Sequence, residues 1–213
     1  MKKYLVLLLL TTLIFAAGCK QTAKDYSEDN ALIQSLFPNQ TGFRWFYNGY
    51  AEYGHSMTLD AVDVEENKIT YHISGQVDDA SGGEGSGEYH LTADYTIERG
   101  ALHQAIDAPM IMDKNYRTIV LIKTPLEAGA TWEQLVVDQD NNEIKLKSTI
   151  EQITATDEGK TYKVRYQEQD SDYYEIRVIR EGTGVIQFSR LFTSGKESYE
   201  IGYALYEEIS GVK

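Results

Sequence analysis

Cysteine is nearly absent from this chain: 213 residues contain one, Cys19. No intrachain disulfide can form. Proline is almost as scarce, with three residues, and tryptophan scarcer, with two. Basic residues are outnumbered, 20 Lys plus Arg against 33 Asp plus Glu. A surface so acidic repels phosphate backbones, which excludes nucleic acid as a partner, and it is not a polybasic membrane-docking surface. No apolar run is long enough to span a bilayer. The longest, from Tyr4 to Ala17, falls short of the roughly 20 residues a spanning helix needs.

The start of the chain has a clear pattern. MKK, then the apolar run, then Ala16-Ala17-Gly18 form a basic start, a hydrophobic centre and a small-residue end, the build of a secretory signal peptide. The stretch "LIFAAGCK" (13–20) places Cys19 directly after it. It resembles the lipobox of bacterial lipoproteins, with Ala16 where that family usually has leucine. The resemblance implies that residues 1–18 are removed, that Cys19 carries the lipid, palmitate being the expected label, and that the protein sits on the extracytoplasmic face of the cell membrane. With Cys19 acylated, no thiol nucleophile remains. The mature chain loses Lys2 and Lys3, leaving 20 − 2 = 18 basic residues against 33 acidic ones and a net charge of −15. Residues 19–35 read as lipidated cysteine and flexible tether, with a weak helical pattern through "EDNALIQSLF".

Two stretches repeat. "FPNQTGFRW" (37–45) and "TPLEAGATW" (124–132) share P-x3-G-x2-W, and Pro38, Gly42 and Trp45 recur 87 positions on as Pro125, Gly129 and Trp132. In a chain this poor in proline and tryptophan, the coincidence indicates two tandem β units, 36–123 and 124–213. The three residues read as a structural hook: proline sets φ, glycine takes a positive φ, and the tryptophan caps the core at the mouth of a strand. The lesser reading of either tryptophan is a ligand-stacking face. These stretches are similar to a group of uncharacterised exported lipoproteins of Gram-positive bacteria with the form F-P-L-x-x-G-x-x-W-x-Y and a later P-L-x-x-G-x-x-W. Asn39 departs from that form, as does the lack of an aromatic residue after Trp132. The resemblance implies an envelope location and a β-rich domain, and no reaction.

Alternation gives the strands. Ile69, Tyr71, Ile73 and Val77 fall on one face, and Tyr89, Leu91, Ala93, Tyr95 and Ile97 on another strand's inner face. In the second unit Ile144, Leu146 and Ile150 face inward, as do Tyr162, Val164 and Tyr166. "DYYEIRVIR" reads with Tyr174, Ile176 and Val178 inward and Glu175 and Arg177 outward; "ESYEIGYALYEEI" puts Tyr199, Ile201, Tyr203 and Leu205 on one side. About six strands per unit joined by short turns make an all-β antiparallel meander of about twelve, closing as a curved sheet, half-barrel or barrel, or as two packed sheets.

Candidate chemistry is sparse. The histidines, His55, His72, His90 and His103, lie 13 to 18 residues apart, without the close pairing of metal ligands. His72 and His90 read as outward, with a symmetric hairpin setting His72 opposite Asp94 and His90 opposite Gln76. "DQDNNE" (138–143) lacks the glycine and glutamate of a calcium loop and reads as a hairpin turn. "DDASGGEGSGE" (78–88) lacks the Lys-Ser/Thr of a phosphate cradle, and no G-x-S-x-G elbow occurs. "DAPMIMDKNY" (107–116) is an insertion without a counterpart in the other unit, and Pro109–Met112 read as a plug for the core or, less favoured, a lid over a cavity. No catalytic residue, metal ligand or cofactor is expected. The leading expectation is a non-enzymatic envelope lipoprotein that binds an envelope protein or component. A carrier or sensor of a hydrophobic small molecule or lipid ranks second and an envelope hydrolase third.

Overall fold

The computed structural model of the protein describes residues 25–78 and 87–212. The expected signal peptide, Cys19 and most of the glycine-rich loop lie outside the described residues. The rest is all-β. Twelve antiparallel strands form one sheet in the order β6-β5-β4-β3-β2-β1-β12-β11-β10-β9-β8-β7. The strands are β1 (Arg44–Gly49), β2 (Gly54–Glu65), β3 (Lys68–Val77), β4 (His90–Glu98), β5 (Ala101–Asp107), β6 (Thr118–Lys123), β7 (Thr131–Val137), β8 (Glu143–Thr156), β9 (Gly159–Glu168), β10 (Tyr174–Arg180), β11 (Gly184–Ser194) and β12 (Glu197–Leu205). The first six fall in residues 36–123 and the last six in 124–213. β1 pairs with β12, so the sheet curls into a nearly closed barrel with one seam, between β6 and β7. Closure is the usual remedy for exposed strand edges.

The inward alternation holds on most strands. Tyr71, Ile73, Leu91, Ala93, Tyr95 and Ile97 are buried, as are Leu146, Ile150, Tyr162, Val164 and Tyr166. Outward positions carry charge. His72 faces Asp94 and Gln76 faces His90 across the β3–β4 ladder, the register expected from the hairpin. The His72 ring bonds Asp94 at 2.7 Å and Asp63 at 3.1 Å, and these two carboxylates raise its pKa. The turn at Asp138 is held by that side chain, whose Oδ1 accepts from the Asp140 and Asn142 N–H groups.

The ends of the barrel are stopped by two different elements. At one end sits the helix α1 (Ser27–Gln34). The tether expected over 19–35 therefore gives way to folded structure from Ser27. Asn30 accepts from the Gly100 N–H at 2.7 Å, Gly182 and Gly184 donate to the Ser35 and Leu36 carbonyls, and Ile33, Leu36 and Phe37 enter the core. Propensity alone leaves so short a helix marginal; tertiary packing is what stabilises it. At the other end the 108–117 segment folds inward, with Ala108, Ile111, Asp113 and Tyr116 buried and Met110 exposed. It is a plug.

The two P-x3-G-x2-W stretches have matching backbones at the helix end. Gly42 has φ +84° and Gly129 φ +87°, each with open space where a Cβ would stand; the positive φ, not crowding, calls for glycine. Gly42 donates to Leu59 O and Gly129 to Ile150 O, at 2.7 and 2.8 Å. Beside each, the neighbouring ladder slips by one residue, between Leu59 and Ala61 and between Ile150 and Gln152. The tryptophans differ. Both are buried, but Trp45 Nε1 donates to Thr183 O at 2.7 Å, whereas Trp132 Nε1 has no partner among the described residues. Trp45→Phe should therefore destabilise the protein more than Trp132→Phe by about 1–2 kcal/mol, the worth of a buried bond whose acceptor is left unmet. Parallel urea unfolding of the two variants measures the difference.

Candidate functional site

The principal departure from the sequence reading lies on β10. Glu175 and Arg177, expected outward, point into the barrel and are among its most buried residues, at 0% and 1% exposure. They lie just beneath the plug. Arg177 Nη1 donates to Glu175 Oε2 at 2.7 Å, and its Nη2 stands 3.7 Å from Asp113 Oδ2 on the plug. Its guanidinium also lies over the rings of Tyr166 and Phe188, 5.1 and 4.9 Å from their centroids. Burial on its own would favour the neutral guanidine, but the charges of Glu175 and Asp113 and the Tyr166 hydroxyl outweigh it and raise the pKa. Gln104 on β5 completes the cluster, its amide reaching Tyr95 Oη at 3.0 Å and Asp113 Oδ2 at 3.4 Å.

Next to this cluster is His55 on β2, 2% exposed. Its ring stacks on Tyr47 at 4.5 Å and meets Tyr203 edge-on at 4.7 Å. Neither nitrogen has a hydrogen-bond partner among the described residues. Burial lowers its pKa to about 4, with Asp113 pulling weakly the other way, so at neutral pH it is an uncharged aromatic filler.

Above the cluster the plug end opens into a cleft of about 270 Å³ lined by Asn115, Tyr116, Ile144, Glu168, Tyr173 and Arg190, among others. Asn115 joins cleft and cluster: its amide donates to Glu175 Oε1 at 2.9 Å and to Tyr173 Oη, and its Oδ1 accepts from Arg190 Nη1 at 3.2 Å. Tyr116 donates to Glu168 at 3.0 Å. Burial and the nearby carboxylates Glu175 and Glu168 hold the Tyr116 hydroxyl well above its ordinary pKa. Amide, guanidinium, carboxylate and phenol are thus gathered in one place, the mixed donor and acceptor set by which a binding site fixes a polar ligand.

The rim of the same end is aromatic. β12 pairs with β1 only from Tyr203 to Leu205, so the β11–β12 hairpin continues past the barrel wall. Tyr199 keeps the inward face the alternation assigns to it, yet it is 39% exposed because β1 does not extend alongside it. It contacts Phe192 at 5.5 Å and Tyr50 at 6.3 Å. Sequence reasoning missed Asp113, Glu175, Arg177 and Asn115. The available signal was the insertion at 107–116, a segment without a counterpart in the other half of the chain.

Of the residues singled out in the sequence, Pro38, Gly42, Trp45, Pro125, Gly129 and Trp132 gather at the opposite, helix-bearing end, and none enters this site. Cys19 lies outside the described residues. No group of three or more His, Cys, Asp or Glu placed to hold a metal ion occurs among the described residues, and no described helix is long and apolar enough to cross a membrane.

No family model matches the chain, and no curated protein matches it. Two solved structures are similar. One is a protein assigned as exported, with a YmcC-like fold, from Bacteroides fragilis NCTC 9343; it has 13% identity and a TM-score of 0.48 over 79% of this chain and 96% of that one. The other is a protein assigned as a lipoprotein from Parabacteroides distasonis ATCC 8503, with 11% identity and a TM-score of 0.41 over 81% of this chain and 97% of that one. Neither says what this chain binds.

Proposed function

We propose that the chain is a lipid-anchored cell-envelope protein, tethered through Cys19, whose barrel is a non-enzymatic binding module for an envelope partner. The observation that carries this reading is the polarity of the barrel. The chain enters the fold at Asp25 beside the hook and helix end. The polar cleft and the exposed rings of Tyr50, Phe192 and Tyr199 lie at the other end. Asp25 is only six positions after Cys19, a reach of at most about 20 Å. A short leash at one end turns the cleft and the aromatic rim away from the lipid, toward partners in the envelope. Aromatic side chains are enriched at such recognition surfaces.

The carrier reading requires space inside the barrel. The interior positions are instead taken by Trp45, Tyr71, Tyr95, Tyr166, Phe188 and Tyr203, all buried and several in ring contact. This filling favours binding at the mouth over carriage within.

The anchor is tested by palmitate labelling in cells. The wild-type chain should take the label and sediment with membranes. Cys19→Ser should lose the label and leave the membrane fraction, because stable attachment needs the acyl chains. Label that persists in the variant would refute the anchor. A turnover traced to the purified chain would refute the non-enzymatic half.

A further inference from the structure

The barrel has two joints where one unit meets the other, and only one of them is zipped. At the β1–β12 joint the pairing of β1 is extended by the chain's own C-terminal tail. Arg44 exchanges both backbone bonds with Gly211 at 2.8–2.9 Å. Tyr206 N–H donates to Phe46 O at 2.7 Å, and Ser210 Oγ accepts from the Phe46 N–H at 3.1 Å. The outer edge of β1 is therefore covered by the chain's own tail, which makes one 3-10 turn over Glu207–Ile209 between these contacts.

The β6–β7 joint has no such tail, because β6 runs directly into the second hook. Thr131 and Glu133 stand 87 positions after Arg44 and Phe46. Val137 O faces β6, where it accepts from Arg117 N–H at 2.9 Å. By the period of two, the backbone groups of Leu135, Glu133 and Thr131 face the seam as well. Among the described residues none of these three has a main-chain partner across it. One side chain spans the seam in their place: the Gln134 carboxamide accepts from Val120 N–H at 2.8 Å and donates to Val120 O at 3.0 Å, as a neighbouring strand's peptide group would.

The indole supplies a second, independent sign. In the first unit Trp45 donates to a main-chain carbonyl, Thr183 O, in the three-residue turn Glu181–Thr183 between β10 and β11. The matching turn between β4 and β5 has only two residues, Arg99 and Gly100, and offers Trp132 no carbonyl. Among the described residues its buried N–H is left unpaired. Trp132 lines a cleft of about 320 Å³ along the seam, with Tyr26, Arg99, His103, Lys123 and Gln134.

We propose that the lower seam is a docking slot for an extended segment of a partner protein, which adds to the edge of β7 as residues 206–212 add to β1. The occupant is peptide because main-chain groups are what the slot lacks. Open edges with unpaired N–H and C=O groups are templates for such strand addition, and the cleft is small enough for only a short stretch. The slot lies on the barrel wall, apart from the mouth, so its failure would leave the proposed function standing.

The probe is a fluorescein-labelled peptide with the sequence of residues 206–212, YEEISGV, titrated against the intact chain in mild detergent. Saturable binding is expected. N-methylation of alternate peptide residues should weaken it at least about tenfold, since it removes two or three backbone bonds. Amide exchange at Thr131 and Glu133 should slow on saturation. Glu133→Pro removes an N–H that faces the seam and not β8, a substitution edge strands tolerate, and it should lower affinity to a similar degree with the unfolding midpoint little changed. If that variant does not fold, exchange on the wild-type chain decides. Absence of saturable binding up to about 1 mM, or binding indifferent to N-methylation, would overturn the proposal. So would a concentration-dependent dimer in light scattering with Thr131 and Glu133 already protected, which would assign the edge to a second copy of the chain.

Discussion

Arg177→Ala should lower the free energy of unfolding by about 3–5 kcal/mol, the loss expected when one partner of a buried ion pair is removed and the other remains. Glu175 and Asp113 are both fully buried and have Arg177 as their shared counter-charge. Without it, two carboxylates face each other in an apolar interior, and the ring faces of Tyr166 and Phe188 lose the cation between them. The loss also has a direction in space. Asp113 belongs to the plug, so repulsion from Glu175 should drive the 108–117 segment outward. Its amides should then exchange faster than those of β3 and β9. Urea unfolding gives the magnitude and exchange gives the location. The triple variant Asp113→Asn, Glu175→Gln, Arg177→Met removes all three charges together and should recover most of the loss, because a neutral, well-packed replacement of a buried ionic group is often as stable as the original. If the triple variant is as unstable as Arg177→Ala, packing and not charge is what Arg177 supplies.

This cluster also shows how far the sequence was legible. Strand positions followed from alternation, and the facing of His72 and Asp94 followed from counting across a turn. Both depend only on neighbours along the chain. The phase of β10 did not follow. "YYEIRVIR" carries oily residues on both faces, so alternation picks the side with Tyr174, Ile176 and Val178. The true inner face holds Glu175, Arg177 and Ile179, and a charged pair is tolerable there only because Asp113, Asn115 and Gln104 arrive from elsewhere in the chain. Those partners are about 60–70 residues away, beyond the reach of local pattern. The same limit applies to α1. Its sequence is weakly helical, and it holds because the open end of the barrel offers Ile33 and Leu36 a place to be buried. The exposure of Tyr199 has a third cause: its face was read correctly, but the hairpin outruns the wall.

Acid should weaken the fold through His55, by about 3 kcal/mol between pH 7 and pH 4. In an unfolded chain its imidazole titrates near its ordinary value of 6.5, while in the barrel burial brings it to about 4. Above pH 6.5 both states are neutral and the full stability is present. Between 6.5 and 4 the unfolded chain takes up a proton that the native state refuses, so stability declines as pH falls. Below 4 the native state accepts it too, and the decline levels off. The ring is enclosed by Tyr47, Tyr53 and Tyr203, with Asp113 a nearby charge that favours protonation. His55→Phe keeps the stacking and removes the titration. The difference in unfolding free energy between wild type and variant, measured from pH 7 to 4, cancels the carboxylates they share. It should shift toward the variant by about the same amount over that window. Because neither imidazole nitrogen has a partner among the described residues, the variant should also be at least as stable as wild type at pH 7, where the histidine leaves its ring N–H buried and unmet. A difference that stays flat across the window would mean that His55 is protonated equally in both states, and that water reaches a ring which stands here at 2% exposure.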